Sequence, residues 1–226
     1  MDDLLLHIHT ATETAVIGLQ QKGKLISSRT NGDPKQHATF LHEGINQLLQ
    51  ENDLQPKDLN AVMATNGPGS YTGIRVGLAA AKGLCFALDI PLITCNTLEA
   101  LALTAIKMMG DNDALYCPMI DARRMEVYTA LYDSGLKKLS EPEAMILDEN
   151  SFAEGKDGKR ILFFGSGSHK FSKISRASGG EFIEVDHITA EALAIIGWER
   201  YQQQHFESLA YSEPAYLKMF YTPGSK

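Results

Sequence analysis

Short apolar runs open the chain, and a helical period follows them. Leu4 to Thr10 is apolar except at His7 and His9, Ala15 to Gln20 is a second run and Lys24 to Arg29 a third, with Gly23 in the turn between the last two. Runs of this length bounded by turn residues predict three strands, and their tight connections predict an antiparallel meander. The period then changes: Phe40, Leu41, Ile45, Leu48 and Leu49 recur at helical spacing, which predicts a helix over Lys35 to Glu51. Leu59 to Ala64 reads as a buried strand, Asn66 to Gly73 (NGPGSYTG) as a glycine-rich loop and Thr72 to Leu88 as a helix. Ile90 to Thr94 and Leu98 to Met108 read as a further strand and helix. The order β-β-β-α-β-α-β-α implies a mixed sheet covered by helices, unlike the uniform alternation of a dinucleotide-binding domain.

A polar break at Gly110 to Asp113 divides this lobe, residues 1–108, from a second at 109–207. Leu115 to Asp121 and Met125 to Tyr132 predict two strands around a turn at Ala122 to Arg124, and Ile161 to Phe164 predicts another. Glu149 to Lys159 is rich in Glu, Gly and Lys and reads as an exposed loop; Thr189 to Gln203 reads as a helix. Glu213 to Phe220 is a short closing segment within 208–226, a stretch assigned back to the first lobe, and Thr222 to Lys226 is expected to fray.

Composition narrows the function classes. With 226 residues, 44% of them hydrophobic, the chain can bury a substantial core. A net charge of -7 makes it a poor stand-alone binder of phosphate backbones, and the short basic stretch His169 to Arg176 does not outweigh that balance. Cys85, Cys95 and Cys117 are odd in number and scattered, so buried free thiols are expected, with neither a disulfide framework nor a zinc site. The N-terminus MDDLLLHIHT lacks a basic region, and no apolar stretch approaches the ~20 residues of a membrane span. A cytoplasmic protein that uses no membrane is expected.

Four groups of residues invite chemistry. The loop glycines Gly67, Gly69 and Gly73 stand between a strand and a helix, where backbone amides can cradle an anion. Their spacing matches neither a dinucleotide fingerprint nor a Walker A loop, so a tight turn that lets strand and helix pack closely is the competing reading. Gly73, Gly77 and Ala81 recur every four residues, extended by Ala80 and Leu84. A helix glycine costs about 1 kcal/mol relative to alanine, which makes sense where another element approaches closely. That element can lie in the same chain or in another. His7 and His9 share a strand face but lack a metal-ligand spacing with other histidines, so ordinary hydrogen bonds are expected. Asp121, Arg123 and Arg124 in MIDARR sit at a strand end, where arginine forks can hold a carboxylate or phosphate or simply pair at the surface.

GPGSYTGIRVGLAAAKGL at Gly67 to Leu84 resembles the signature of the TsaB family, the dimerisation subunit of the complex that forms threonylcarbamoyladenosine in tRNA. TATE at Thr10 to Glu13, IDARRMEVYTALY at Ile120 to Tyr132 and EPAYLK at Glu213 to Lys218 agree in order, and together they span nearly the whole chain. The resemblance implies an α/β chain with the two-lobed actin/heat-shock chaperone/sugar-kinase-like (ribonuclease H-like) fold and a mixed sheet per lobe. It implies a non-catalytic subunit that supports a TsaD-like catalytic paralogue and a TsaE-like ATPase. That complex modifies the adenosine beside the anticodon of tRNAs reading ANN codons, and this subunit reaches tRNA through it. No catalytic or metal residue and no cofactor is implied here, ATP and metal being held by the partner subunits. The partner face would comprise His37, Leu41, Ile45, Gly73, Ile74, Gly77, Ala80, Ala81 and Leu84. Left without its partner, such a face implies a homodimer. An anion or nucleotide, if one is held, would meet Thr10, Gly67, Gly69, Ser70 and Arg123.

Two departures matter. Relatives usually carry aspartate where this chain has His9, and neutral imidazole is a poor substitute in handling magnesium. The segment at Asp121 also lacks the glycine of a second phosphate loop. Both weaken the competing reading of an active ATP-dependent phosphotransferase of the same fold. A peptidase reading lacks an H-E-x-x-H motif and a nucleophile–base pair.

Overall fold

Strand β1 (Leu4–His9) is buried on both faces, and its position explains why: it is the middle strand of a five-stranded sheet ordered β3-β2-β1-β4-β5. A computed structural model describes residues 3–153, 158–177 and 180–218. In it β2 (Ala15–Gln21) and β3 (Lys24–Asn31) complete the antiparallel meander. β4 (Ala61–Thr65) and β5 (Leu92–Cys95) add in parallel on the other side of β1. At the edge, β3 alternates exposed and half-buried residues, as a strand with one wet face must. Helices α1 (His37–Glu51) and α2 (Tyr71–Leu88) cover one face of this sheet. Their apolar sides close a core with Leu4, Leu6, Ile8, Ile17, Leu19 and Val62.

The second sheet, ordered β10-β9-β6-β7-β8, comprises β6 (Leu115–Asp121), β7 (Glu126–Thr129), β8 (Glu143–Ile146), β9 (Ile161–Phe164) and β10 (Gly180–Phe182). Its outer face packs Phe163 edge-on against Phe171 of the one-turn helix α4 (Ser168–Phe171) and against Phe152. Between the two sheets lie α3 (Thr97–Met109) and α5 (Ala190–Gln202). One continuous core joins Leu5, Val16 and Met63 of the first sheet to Tyr116, Leu162 and Phe164 of the second through these helices. The molecule therefore has the two-lobed, actin-like α/β architecture with a mixed sheet per lobe.

Two expectations change. The sequence division put α5 in the second lobe, yet it packs on β1, β2, β3 and β5 of the first sheet and on α3. Its small residues Ala190, Ala194 and Gly197 let it lie close to that sheet, with Gly197 facing His7, Gln20 and Met63. The stretch Met125 to Tyr132 is regular only over Glu126–Thr129, and Tyr132 then bridges back to Tyr116. All three cysteines are buried and unpaired. No helix among the described residues is long and apolar enough to cross a membrane. The expected tail at Thr222 to Lys226, the end of the closing segment and part of the loop at Glu149 to Lys159 lie outside the described residues.

Candidate functional site

The lobes face each other across a cleft of about 630 Å³, lined by the β1–β2 turn, the start of α2, the β6–β7 turn and Lys218. The glycine loop builds its first wall. Gly69 has φ +151°, and a Cβ there would stand 2.1 Å from the Ala11 carbonyl oxygen; one on Gly73 would stand 1.9 Å from that of Thr10. These close approaches let the loop clamp the end of β1. The Ser70 amide donates to Ala11 O at 2.7 Å, and the buried Thr10 hydroxyl donates to Gly73 O at 2.7 Å. Ser70 also caps α2, its hydroxyl accepting from the Gly73 amide. The glycines are accounted for by packing inside the chain.

This clamp corrects the expected partner face. His37, Leu41, Ile45, Gly73, Ile74, Gly77 and Ala81 are all buried within the lobe; only Ala80 and Leu84 reach the half-buried rim. The helical period was legible, but the small residues mark the side of α2 turned towards Thr10 and Ile8. The opposite side is exposed and still apolar: Ala79, Gly83, Phe86 and Ala87, with Val76 at its margin. Phe86 is 81% exposed. A Cβ on Gly83 would meet nothing within 4 Å.

Of the residues expected around an anion, Gly69, Ser70 and Arg123 line the cleft. Thr10 is sealed beneath α2, and Gly67 packs on the carbonyl oxygen of Ala215. Thr12, Glu13, Thr72, Tyr128, Ser166 and Lys218 also line it and carried no periodic signal. The β6–β7 turn takes its shape from left-handed Arg123 and Arg124. It is pinned by Lys170, whose Nζ donates to the Asp121 carboxylate and to the carbonyls of Arg124 and Glu126. Asp121 Oδ1 also accepts from the Arg123 amide, while the half-exposed carboxylate still lines the cleft.

His9 stands at the end of β1, where a magnesium–nucleotide site would need a carboxylate. Thr12 spends its hydroxyl proton on the Thr14 carbonyl, so it accepts from His9 Nε2 at 2.8 Å, leaving Nδ1 to accept from Thr65 at 2.9 Å. Burial, assisted by nearby His37, pushes the His9 pKa down to about 3. The imidazole is neutral and saturated. Among the described residues no three His, Cys, Asp or Glu side chains come together in a metal-binding group. At the end of β1 the neutral imidazole offers magnesium no oxygen ligand. His7 departs from the expectation of ordinary hydrogen bonds: it is buried without a partner beside Gly18 and Gly197, and burial lowers its pKa to about 3.

Residues 34–212 match the family model described as TsaD, tRNA N6-adenosine threonylcarbamoyltransferase. The tRNA threonylcarbamoyladenosine biosynthesis protein TsaB of Bacillus subtilis is 34% identical over 71% of this chain and 70% of its own length. That of Escherichia coli is 27% identical over 95% and 94%. The solved structure of YeaZ from Pseudomonas aeruginosa superposes with a TM-score of 0.81 at 24% identity, covering 95% of this chain and all of that one, which supports the fold. A family model spanning most of the chain and a relative aligned over more than two thirds of both lengths place the chain in the TsaB family.

Proposed function

We propose that this chain is the non-catalytic partner subunit of a complex forming threonylcarbamoyladenosine beside the anticodon of tRNAs reading ANN codons. In this reading it supports a TsaD-like catalytic paralogue and works with a TsaE-like ATPase in the cytoplasm. It holds no cofactor of its own; ATP and metal are held by the partners, and tRNA is met through the complex. The observation that carries the proposal is the exposed apolar side of α2, with Phe86 at its centre and the backbone of Gly83 open to close approach. A bulky aromatic beside small residues is the composition of an anchor at a helix-to-helix contact. The neutral His9 at the end of β1, both ring nitrogens bonded, supplies no oxygen ligand for magnesium, which favours a supporting role over phosphotransfer.

The test is co-purification with the catalytic paralogue from the same organism. Phe86→Asp and Gly83→Arg are expected to weaken capture at least tenfold and to lower reconstituted tRNA modification in parallel while both stay folded, Gly83→Arg melting no lower than the parent chain. Those side chains meet water in the free chain. Normal binding by both folded variants would place the interface elsewhere.

A further inference from the structure

After α5 the chain does not stop at the first lobe. Glu207 bridges to Leu92 at the edge of β5, and Lys82 of α2 donates to the Ser212 carbonyl at 3.0 Å. The Ala215 amide donates to Asn66 O at 2.7 Å, seating the strap on the glycine loop where Gly67 leaves room for Ala215. Tyr216 then packs on Tyr71 with ring centroids 5.4 Å apart, and its hydroxyl accepts from Arg75 Nε at 2.8 Å, while the Arg75 guanidinium lies 3.8 Å over the Tyr71 ring. Two residues later the strap is on the other lobe. Lys218 pairs with Glu126 at the start of β7 and reaches the Ala122 carbonyl in the β6–β7 turn.

We propose that residues 213–218 are a latch that sets the opening of the inter-lobe cleft. One end is fixed to the first lobe by Ala215 and Tyr216. The other holds the β6–β7 turn of the second lobe through Lys218, whose side chain also lines the cleft. The lobes share a core through α3 and α5, so their freedom is rotation about that core. A contact across the cleft restrains such rotation far more than it adds to the core. Lys218 and Glu126 are both partly shielded, which strengthens their pairing relative to a fully wet pair. The pair is 92 residues apart in sequence, so it acts on lobe geometry and on no local turn.

The inter-lobe distance tests this directly. Cys85, Cys95 and Cys117 are buried, with thiol pKa values raised by burial to about 11, 12 and 12, so spin labels go to introduced cysteines. Lys35→Cys, beside the cleft-lining Pro34, and Lys173→Cys on the second lobe are exposed sites. Pulsed dipolar spectroscopy of the full chain should give a narrow distance distribution. Lys218→Met and Glu126→Gln should each shift it longer and broaden it, the two together no more than either alone, and Lys218→Arg should restore it. If Lys218→Met fails to fold, Tyr216→Phe, which loses only the hydroxyl bonded to Arg75, should broaden the same distribution. Variants that lower the unfolding temperature but leave the distance distribution unchanged would show the strap to be structural packing only, and would overturn the latch.

Discussion

The same substitution at two glycines of one helix is expected to act with opposite sign. In Gly73→Ala the new Cβ lies 1.9 Å from the Thr10 carbonyl oxygen, which is main chain just past the end of central strand β1 and cannot rotate away. Reaching even 3.0 Å requires a shift of about 1.1 Å, the difference of those two distances. The shift strains the Ser70 amide bond to Ala11 and the Thr10 hydroxyl bond to Gly73 O. Overpacking of this kind costs about 1–3 kcal/mol, and a lost buried hydrogen bond adds about 1 kcal/mol. The better helix propensity of alanine returns about 1 kcal/mol, leaving a net loss of about 1–3 kcal/mol. For a chain of this size that lowers the midpoint by roughly 2–12 °C. Gly83→Ala meets open space, so only the propensity term survives and the midpoint should rise by roughly 2–4 °C. Differential scanning calorimetry of the two variants beside the parent chain decides it. A stabilised Gly73→Ala would refute the clamp between α2 and Thr10, and a destabilised Gly83→Ala would refute the open space at Gly83.

Acid should destabilise the fold before its carboxylates titrate. His7 and His9 have folded pKa values near 3 against 6.5 unfolded, so between these limits the unfolded chain binds more protons. Stability is full above pH 6.5 and falls as the pH drops towards 3. At pH 5 the loss is about 2 kcal/mol for each histidine, and a urea midpoint independent of pH between 7 and 5 would count against their neutral burial. The isolated chain should not turn over ATP, since the neutral His9 ring, both nitrogens bonded, stands where an oxygen ligand for magnesium is needed; hydrolysis that co-purifies and vanishes in His9→Ala would contradict this. Without its partner the exposed face of α2 should drive self-association, so sedimentation as a strict monomer at micromolar concentration would weigh against that face being sticky.

The elements with a long, clean period were readable from the chain. α1, α2 and α3 and the strands β1, β2, β4 and β5 emerge because each carries enough buried positions to show, and β3 because its half-buried and exposed positions alternate. β8 and β10 did not, having no buried residue to show a pattern, and α4 is a single turn too short for a period. β8 and β10 are edge strands held by pairing with neighbours, so no local pattern announces them. The site was legible in part. Gly69, Ser70 and Arg123 do face the cleft, while Thr10 and Gly67 are covered by groups distant in sequence. Helical spacing identified the small stripe on α2 but could not say which side of it is wet. That depends on the Thr10 carbonyl, more than sixty positions upstream of Gly73 in the chain.

The glycines of α2 have different causes, and the difference bears on function. A helix glycine costs about 1 kcal/mol wherever it stands. Gly73 and Gly77 offset that cost inside the chain, because Thr10 and Ile8 occupy the space a side chain would need. Gly83 has no such neighbour and lies on the exposed side, one turn from Phe86. Nothing in the free chain explains it. In the proposed function, a helix from another molecule, packed against Phe86 and approaching the bare backbone at Gly83, would supply the missing cause. The structural account of the buried glycines therefore strengthens the partner reading, by moving the contact to the side of α2 where the chain leaves a glycine unexplained.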